Sequence, residues 1–235
     1  MGARVMPIWL HDDTEEDLVG ADWHQEAICG TVDSLRDIAE TADLAWHVGN
    51  QLTLIAWRPD GREWRPLPDV MVHPEAGPAR RKEMRALDDG VPALVVEVLS
   101  ETTWRYDRDT VGGKAFGYMQ LGVPEILLFD PTEEYLEHQC VGWRRGDQGY
   151  QAWRPDAAGR FQSMSLGVAF AAEGILLRVY DTEGQPIPFR GERARMLAEE
   201  RRGQAEQMRT LAERDAEIVR LRAEVRRLAG NKEES

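Results

Sequence analysis

The chain has 235 residues, 42% of them hydrophobic and eight of them tryptophan, which is enough for one sizeable core plus an appendage. No run of about 18 apolar residues offers a membrane span, and the N-terminus lacks the charged-then-apolar pattern of a secretory signal, so the expected location is cytoplasmic. A formal charge of −13 argues against indiscriminate nucleic-acid binding and obliges any nucleic-acid partner to find a local basic patch.

Residues 1–16 lack periodicity, are acid-rich from Asp12 to Glu16, and read as a loosely held start. From Asp22 the recurrence of Trp23, Ala27, Ile28, Val32, Leu35, Ile38 and Ala39 predicts a helix to about Thr41. His24 and Glu26 fall in its first turns, where a solvated or capping role is the simplest reading of either. Cys29, and Cys140 much further on, have no metal-like or redox-like spacing and read as reduced thiols. Ala45–Val48 and Leu52–Trp57 read as strands of an antiparallel meander, separated by the Gly49-Asn50 turn signal. Pro68 opens a further strand to His73, with Asp69, Met71 and His73 on one face and Val70 and Val72 on the other. Residues 74–91 read as a polar insertion carrying a basic cluster, Arg80, Arg81, Lys82 and Arg85.

The run Leu94-Val95-Val96-Glu97-Val98-Leu99 is apolar, rich in β-branched residues and bounded by turn signals, as a buried strand is. It carries one carboxylate at its centre. An ionised Glu buried alone would cost several kcal/mol or take up a proton, so a cation or a donor is expected beside Glu97. A polar loop with Trp104, Arg105 and Tyr106 follows, then a helix over about Thr110–Leu121 with Gly122 as its C-cap, then the strand Glu125–Phe129. Strand, helix and strand in this order imply a right-handed crossover and a parallel pair. Short strands near Tyr150–Trp153, Arg160–Met164 and Ile175–Val179 complete a β-rich domain. From Gly191 the chain reads as a long helix whose Leu211, Ile218 and Val225, interleaved with Leu221 and Leu228, form a short heptad seam. Such a seam makes a marginal coiled coil, and self-association through residues 204–228 is the corresponding expectation.

Two acids on adjacent strands, Asp69 and Glu97, suit a hard divalent cation such as magnesium, which prefers carboxylate oxygens and keeps positions open. A nearby lysine would neutralise a phosphate or orient an attacking water. The period of two puts residue 99 on the face of Glu97, but that residue is Leu99; Lys114, on the following helix, is the only lysine between Lys82 and Lys232. The blander readings are a strand-start carboxylate bonded to backbone amides for Asp69 and a surface charge for Lys114. His73 shares the face of Asp69, and Trp104, Arg105 and Tyr106 either stack on bases or anchor their own loop. No zinc spacing, phosphate-binding glycine loop or serine elbow is present.

Pro68-Asp69, Glu97-Val98-Leu99-Ser100, Lys114 with Tyr118, and Gly122-Val123-Pro124-Glu125 together resemble the Uma-type restriction-endonuclease family of the PD-(D/E)XK nuclease superfamily, over about residues 17–180 and including His24-Gln25. The resemblance implies an α+β fold, a central mixed sheet flanked by helices; with the helix read from Gly191 onward, the chain divides into a nuclease-like domain over residues 17–190 and a helical, coiled-coil tail over residues 191–235. It implies magnesium-dependent phosphodiester cleavage, with manganese as a substitute and DNA as substrate in preference to RNA. Asp69 and Glu97 would hold the metal, the Val98 carbonyl would be a third ligand, and Lys114 would assist attack by water. The family has an Asp about four residues before the lysine; here Asp109 lies five before and Asp107 seven. A function from another class, a catalytically inactive nuclease-like module that recruits a partner or self-associates through its tail, fits the same sequence.

Overall fold

The apolar runs assemble into a six-stranded mixed sheet in the computed structural model, which describes residues 22–109 and 112–230, with side chains as far as Glu224. The sheet contains β1 (His47–Asn50), β4 (Val70–His73), β6 (Leu94–Val98), β7 (Glu125–Phe129), β8 (Cys140–Gly146) and β9 (Gly149–Trp153), side by side in that order. Only β6 and β7 run parallel, as the strand, helix and strand order requires; the other neighbours are antiparallel. The expected looseness of residues 1–16 and the start of the second long helix at Thr110 lie outside the described residues.

Alternation along the strands divides the core. Val70, Val72, Leu94, Val96 and Val98 face α1 (Asp22–Thr41), whose Ala27, Ile28, Val32 and Leu35 form the buried stripe that the helical spacing predicts. A second sheet packs on that side: β10 (Phe161–Gln162), β11 (Ala169–Glu173) and β12 (Leu176–Tyr180). Met71, Val95 and Ile126 point the other way, toward α4 (Lys114–Leu121) and a small sheet of β2 (Thr53–Trp57), β3 (Glu63–Trp64) and β5 (Glu83–Arg85). Gly117 lets α4 approach closely, since a Cβ there would lie 2.5 Å from the Trp64 ring. Gly122 ends α4 in the left-handed region (φ 88°), a conformation that glycine adopts without strain.

Several connections differ from the sequence reading. The first strand begins at His47 and includes Gly49 and Asn50; the bend falls instead at Gln51 (φ 45°). β1 and β2 form no meander, because β1 pairs with β4 while β2 pairs with β3 and, in parallel, with β5. The polar insertion therefore holds a strand, and also the short α2 (Ala86–Asp89), with Met84 fully buried. The loop after β6 contains one helical turn and a little more, α3 (Trp104–Arg108). Cys140 is buried and Cys29 exposed, both free; burial pushes the Cys140 thiol up to about 12, so it stays protonated and inert.

The chain falls into two units, Met1–Ile187 and Pro188–Ser235. The second carries α5 (Arg190–Gly230), a helix polar on most faces that exposes Leu197, Leu211, Ile218 and Leu221. Val225 and Leu228 of the expected seam have side chains outside the described residues.

Candidate active site

Asp69 stands at the mouth of β4. The antiparallel register that sets Val70 against Val96 brings it, one step further, opposite Glu97. Glu97 follows the alternation of β6 and projects with Val95 toward α4, where it is completely buried. Lys114 and Tyr118, four residues apart, share one face of α4 and both meet it. The Tyr118 hydroxyl donates to Glu97 Oε1 at 2.5 Å, and the Lys114 ammonium lies 3.5 Å from Oε2. Lys114 is only 6% exposed, which overturns the surface-charge reading.

Asp107 completes the group. It is 1% exposed on α3, and its Oδ1 lies 3.3 Å from Lys114 Nζ, whereas Asp109 is exposed. The acid that faces the lysine is thus seven residues before it. The ammonium also donates to the Leu67 carbonyl at 3.4 Å. None of these three contacts is as short as a committed charge-assisted bond of about 2.8 Å, so the cation is shared among them.

Two carboxylates pair with one lysine, a third, Asp69, acts on both of them, and the charges do not balance. Burial raises the Glu97 carboxyl well above its ordinary value; Lys114 opposes that, Asp69 and Asp107 add to it, and the Tyr118 hydroxyl opposes it. Asp107 is raised too, again chiefly by burial against the pull of Lys114, with Asp69 contributing. A divalent cation would offset this excess of buried negative charge, so the residues fit one. Among the described residues no group of three or more His, Cys, Asp or Glu side chains is placed to hold a metal ion. The available donors are the carboxylate pair and the Val98 carbonyl, an open set of the kind that magnesium tolerates.

Two further residues support these donors. Asp69 Oδ2 accepts the Val98 amide at 2.8 Å, so the backbone-bonded role weighed for Asp69 is one it has, with Oδ1 left to Gln51 Nε2 at 3.4 Å. His24 reaches from α1 to the same place, with Nε2 2.8 Å from the Val98 carbonyl oxygen and 3.8 Å from Asp69 Oδ2. The Val98 carbonyl therefore already accepts one hydrogen bond. Gln51 escaped the sequence reading; its left-handed backbone, costly for a residue with a Cβ, is the type of outlier that collects at functional sites.

Other candidates fall away from this cluster. His73 is at the opposite end of β4, roughly 13 Å along the strand, with Nδ1 accepting the Glu75 amide. Glu26 is exposed. Trp104 stacks on Tyr135 at 5.5 Å, and the Arg105 and Arg108 guanidiniums lie over its ring, so these aromatics anchor their own loop.

Residues 16–173 match the model of the Uma2 family, described as "Putative restriction endonuclease". No curated protein matches the chain. Among solved structures, a "putative nuclease belonging to DUF820" from Anabaena variabilis ATCC 29413 is 16% identical, with a TM-score of 0.42 over 58% of this chain and 70% of that one. With the family model spanning both acids, Lys114 and the whole of the central sheet, the chain belongs to the Uma2 family of restriction-endonuclease-like proteins.

Proposed function

We propose that the protein is a metal-dependent nuclease that hydrolyses phosphodiester bonds of nucleic acid, DNA in preference to RNA. The observation that carries this reading is the excess of buried carboxylate around Lys114, an arrangement that costs stability unless a cation relieves it. Asp69 and Glu97, with the Val98 carbonyl, would hold magnesium or manganese. Bound there, the ion would act as a Lewis acid that offsets charge developing on the phosphate. The preference for DNA follows the family's description.

The chain's own residues do the remaining work. Lys114 stands where its ammonium can meet a phosphate oxygen or an attacking water, its contacts to Leu67, Glu97 and Asp107 each being longer than a close charge-assisted bond. Tyr118 holds the Glu97 carboxylate in one orientation, and His24 holds the Val98 carbonyl. Among the described residues no helix is long and apolar enough to cross a membrane, and a cytoplasmic setting accompanies this reading.

The test is cleavage of duplex DNA with magnesium or manganese by the purified protein and by Asp69→Ala and Glu97→Ala, with folding checked by circular dichroism. Folded variants without activity support the assignment, and full activity in both removes it. The exposed Leu197, Leu211, Ile218 and Leu221 of α5 favour a second reading, a recruiting or self-associating module. Deleting residues 191–235 separates the two: a nuclease keeps some activity, while a recruiter loses its function.

A further inference from the structure

The basic run that begins at Arg80 takes no part in the carboxylate cluster, yet it lines a cleft. Arg80 and Arg81 meet Arg36 and Glu40 of α1 and His47 of β1 around a cavity of about 450 Å³, so three guanidiniums face one carboxylate there in an otherwise acidic protein. Arg81 is committed, paired with Asp89 at 2.5 Å and donating to the Ala76 carbonyl. Arg36 gives one nitrogen to the Val48 carbonyl, and among the described residues neither it nor Arg80 has an ion-pair partner.

His47 supplies an independent sign of a missing ligand. It is 6% exposed, and among the described residues neither ring nitrogen has a hydrogen-bond partner of ordinary geometry. Burial lowers its pKa, as do Arg81 and Arg36, against hydrogen bonding to the Gly77 and Ala79 backbone that is too loose to meet ordinary hydrogen-bond geometry, and the ring in either form has an N–H to donate. A buried polar group left unpaired costs about 1–3 kcal/mol, which an acceptor in the cleft would relieve. An anion with several oxygens satisfies the ring and the two uncommitted guanidiniums together.

The cleft is also joined to the carboxylate cluster. Asn50 and Leu52 line it, and Gln51 between them bonds Asp69 through both its side chain and its amide. We infer that this cleft binds a phosphate of the nucleic-acid backbone beside the one being cleaved. The inference rests on the nuclease reading and adds to it the local basic patch that the chain's net charge makes necessary.

The experiment is fluorescence anisotropy of a labelled duplex DNA, with single-stranded DNA and RNA of the same sequence alongside, on the full chain with calcium in place of magnesium across a salt series. Arg36→Gln with Arg80→Ala, both exposed side chains, is expected to weaken binding about tenfold or more and to flatten the log K against log salt slope by about one to two. Arg36→Lys should keep most of the slope. Unchanged affinity and slope, in a variant whose parent binds and cleaves, overturn the inference and leave the nuclease standing. A parent that binds none of the three nucleic acids overturns the nuclease reading and the inference together. His47 ring resonances that move with inorganic phosphate but not with DNA assign the cleft to a free phosphate and overturn the backbone assignment.

Discussion

Glu97 and Glu125 lie on neighbouring parallel strands, both in apolar runs and both buried, but their surroundings differ in kind. Glu125 Oε1 accepts Arg144 Nε at 3.0 Å and the Met164 amide at 2.8 Å, while Oε2 accepts the Ser163 hydroxyl at 2.5 Å. Since Ser163 and Met164 follow β10, this carboxylate rivets the central sheet to the second one. Glu97 has a tyrosine and a shared, distant lysine, and faces two other acids. One glutamate is satisfied by the fold; the other is left in need of a cation. Burial of an acid does not by itself mark a site. The company it keeps does.

Exchanging each glutamate for glutamine should give crossed results. Glu97→Gln removes a proposed ligand but spares the Tyr118 bond and relieves repulsion, so cleavage should fall on the order of a thousandfold or more while stability at neutral pH is kept or gained. Glu125→Gln should leave cleavage near normal and cost about 2–3 kcal/mol, because the buried Ser163 hydroxyl, the Met164 amide and the partly exposed Arg144 lose the carboxylate charge and one of its two acceptor oxygens. Paired activity assays and urea denaturation read both. An active Glu97→Gln protein, or an inactive but stable Glu125→Gln protein, would break the contrast.

Gly117→Ala sharpens the comparison from the packing side. The added Cβ would meet the Trp64 ring at 2.5 Å and press α4 away from the sheet, at a cost of about 1–3 kcal/mol by urea denaturation. Because α4 carries Lys114 and Tyr118 and none of the Glu125 partners given above, the Glu97 side should suffer: activity should fall by more than the small loss of folded protein explains. Equal specific activity per folded molecule would show that the cluster tolerates movement of α4.

Local periodicity made α1, β6, β7 and the Gly122 cap legible in the sequence, because each is encoded by residues within one turn or a few pleats of one another. The parallel pairing of β2 with β5 was not legible, since three residues, Glu83–Arg85, find their partner about thirty positions earlier with no signal of their own. Within the site, Asp69, Glu97 and Lys114 were singled out and the fold brings them together. Asp107 was ambiguous because the loop between it and Lys114 departs from the expected spacing, and its burial and its approach to the Lys114 ammonium are what pick it over Asp109. Glu125 raised no question in the sequence, although its pattern is that of Glu97; its partners lie nearly forty residues away at Ser163 and Met164.

The smallest effect, about 1 kcal/mol per pH unit, concerns linkage. Burial first, then Asp69 and Asp107, raise the Glu97 carboxyl in the folded protein, so between the unfolded value near 4.5 and the higher folded value the native state holds a proton that the unfolded chain has lost. Stability contributed by this group is complete below the unfolded value and disappears as pH rises through the folded one. Asp107 moves in the same sense, while His47, lowered by burial, Arg81 and Arg36, works the other way as pH rises toward 6.5. The clean quantity is therefore the difference between the wild type and Glu97→Gln, measured by urea denaturation in chelator across the acid-to-neutral range. That difference should favour the wild type least at the high end, and magnesium should restore it there by binding the ionised carboxylate. Glu125→Gln should show no such magnesium-dependent crossing, and a crossing in that variant would mean that the two buried glutamates are alike after all.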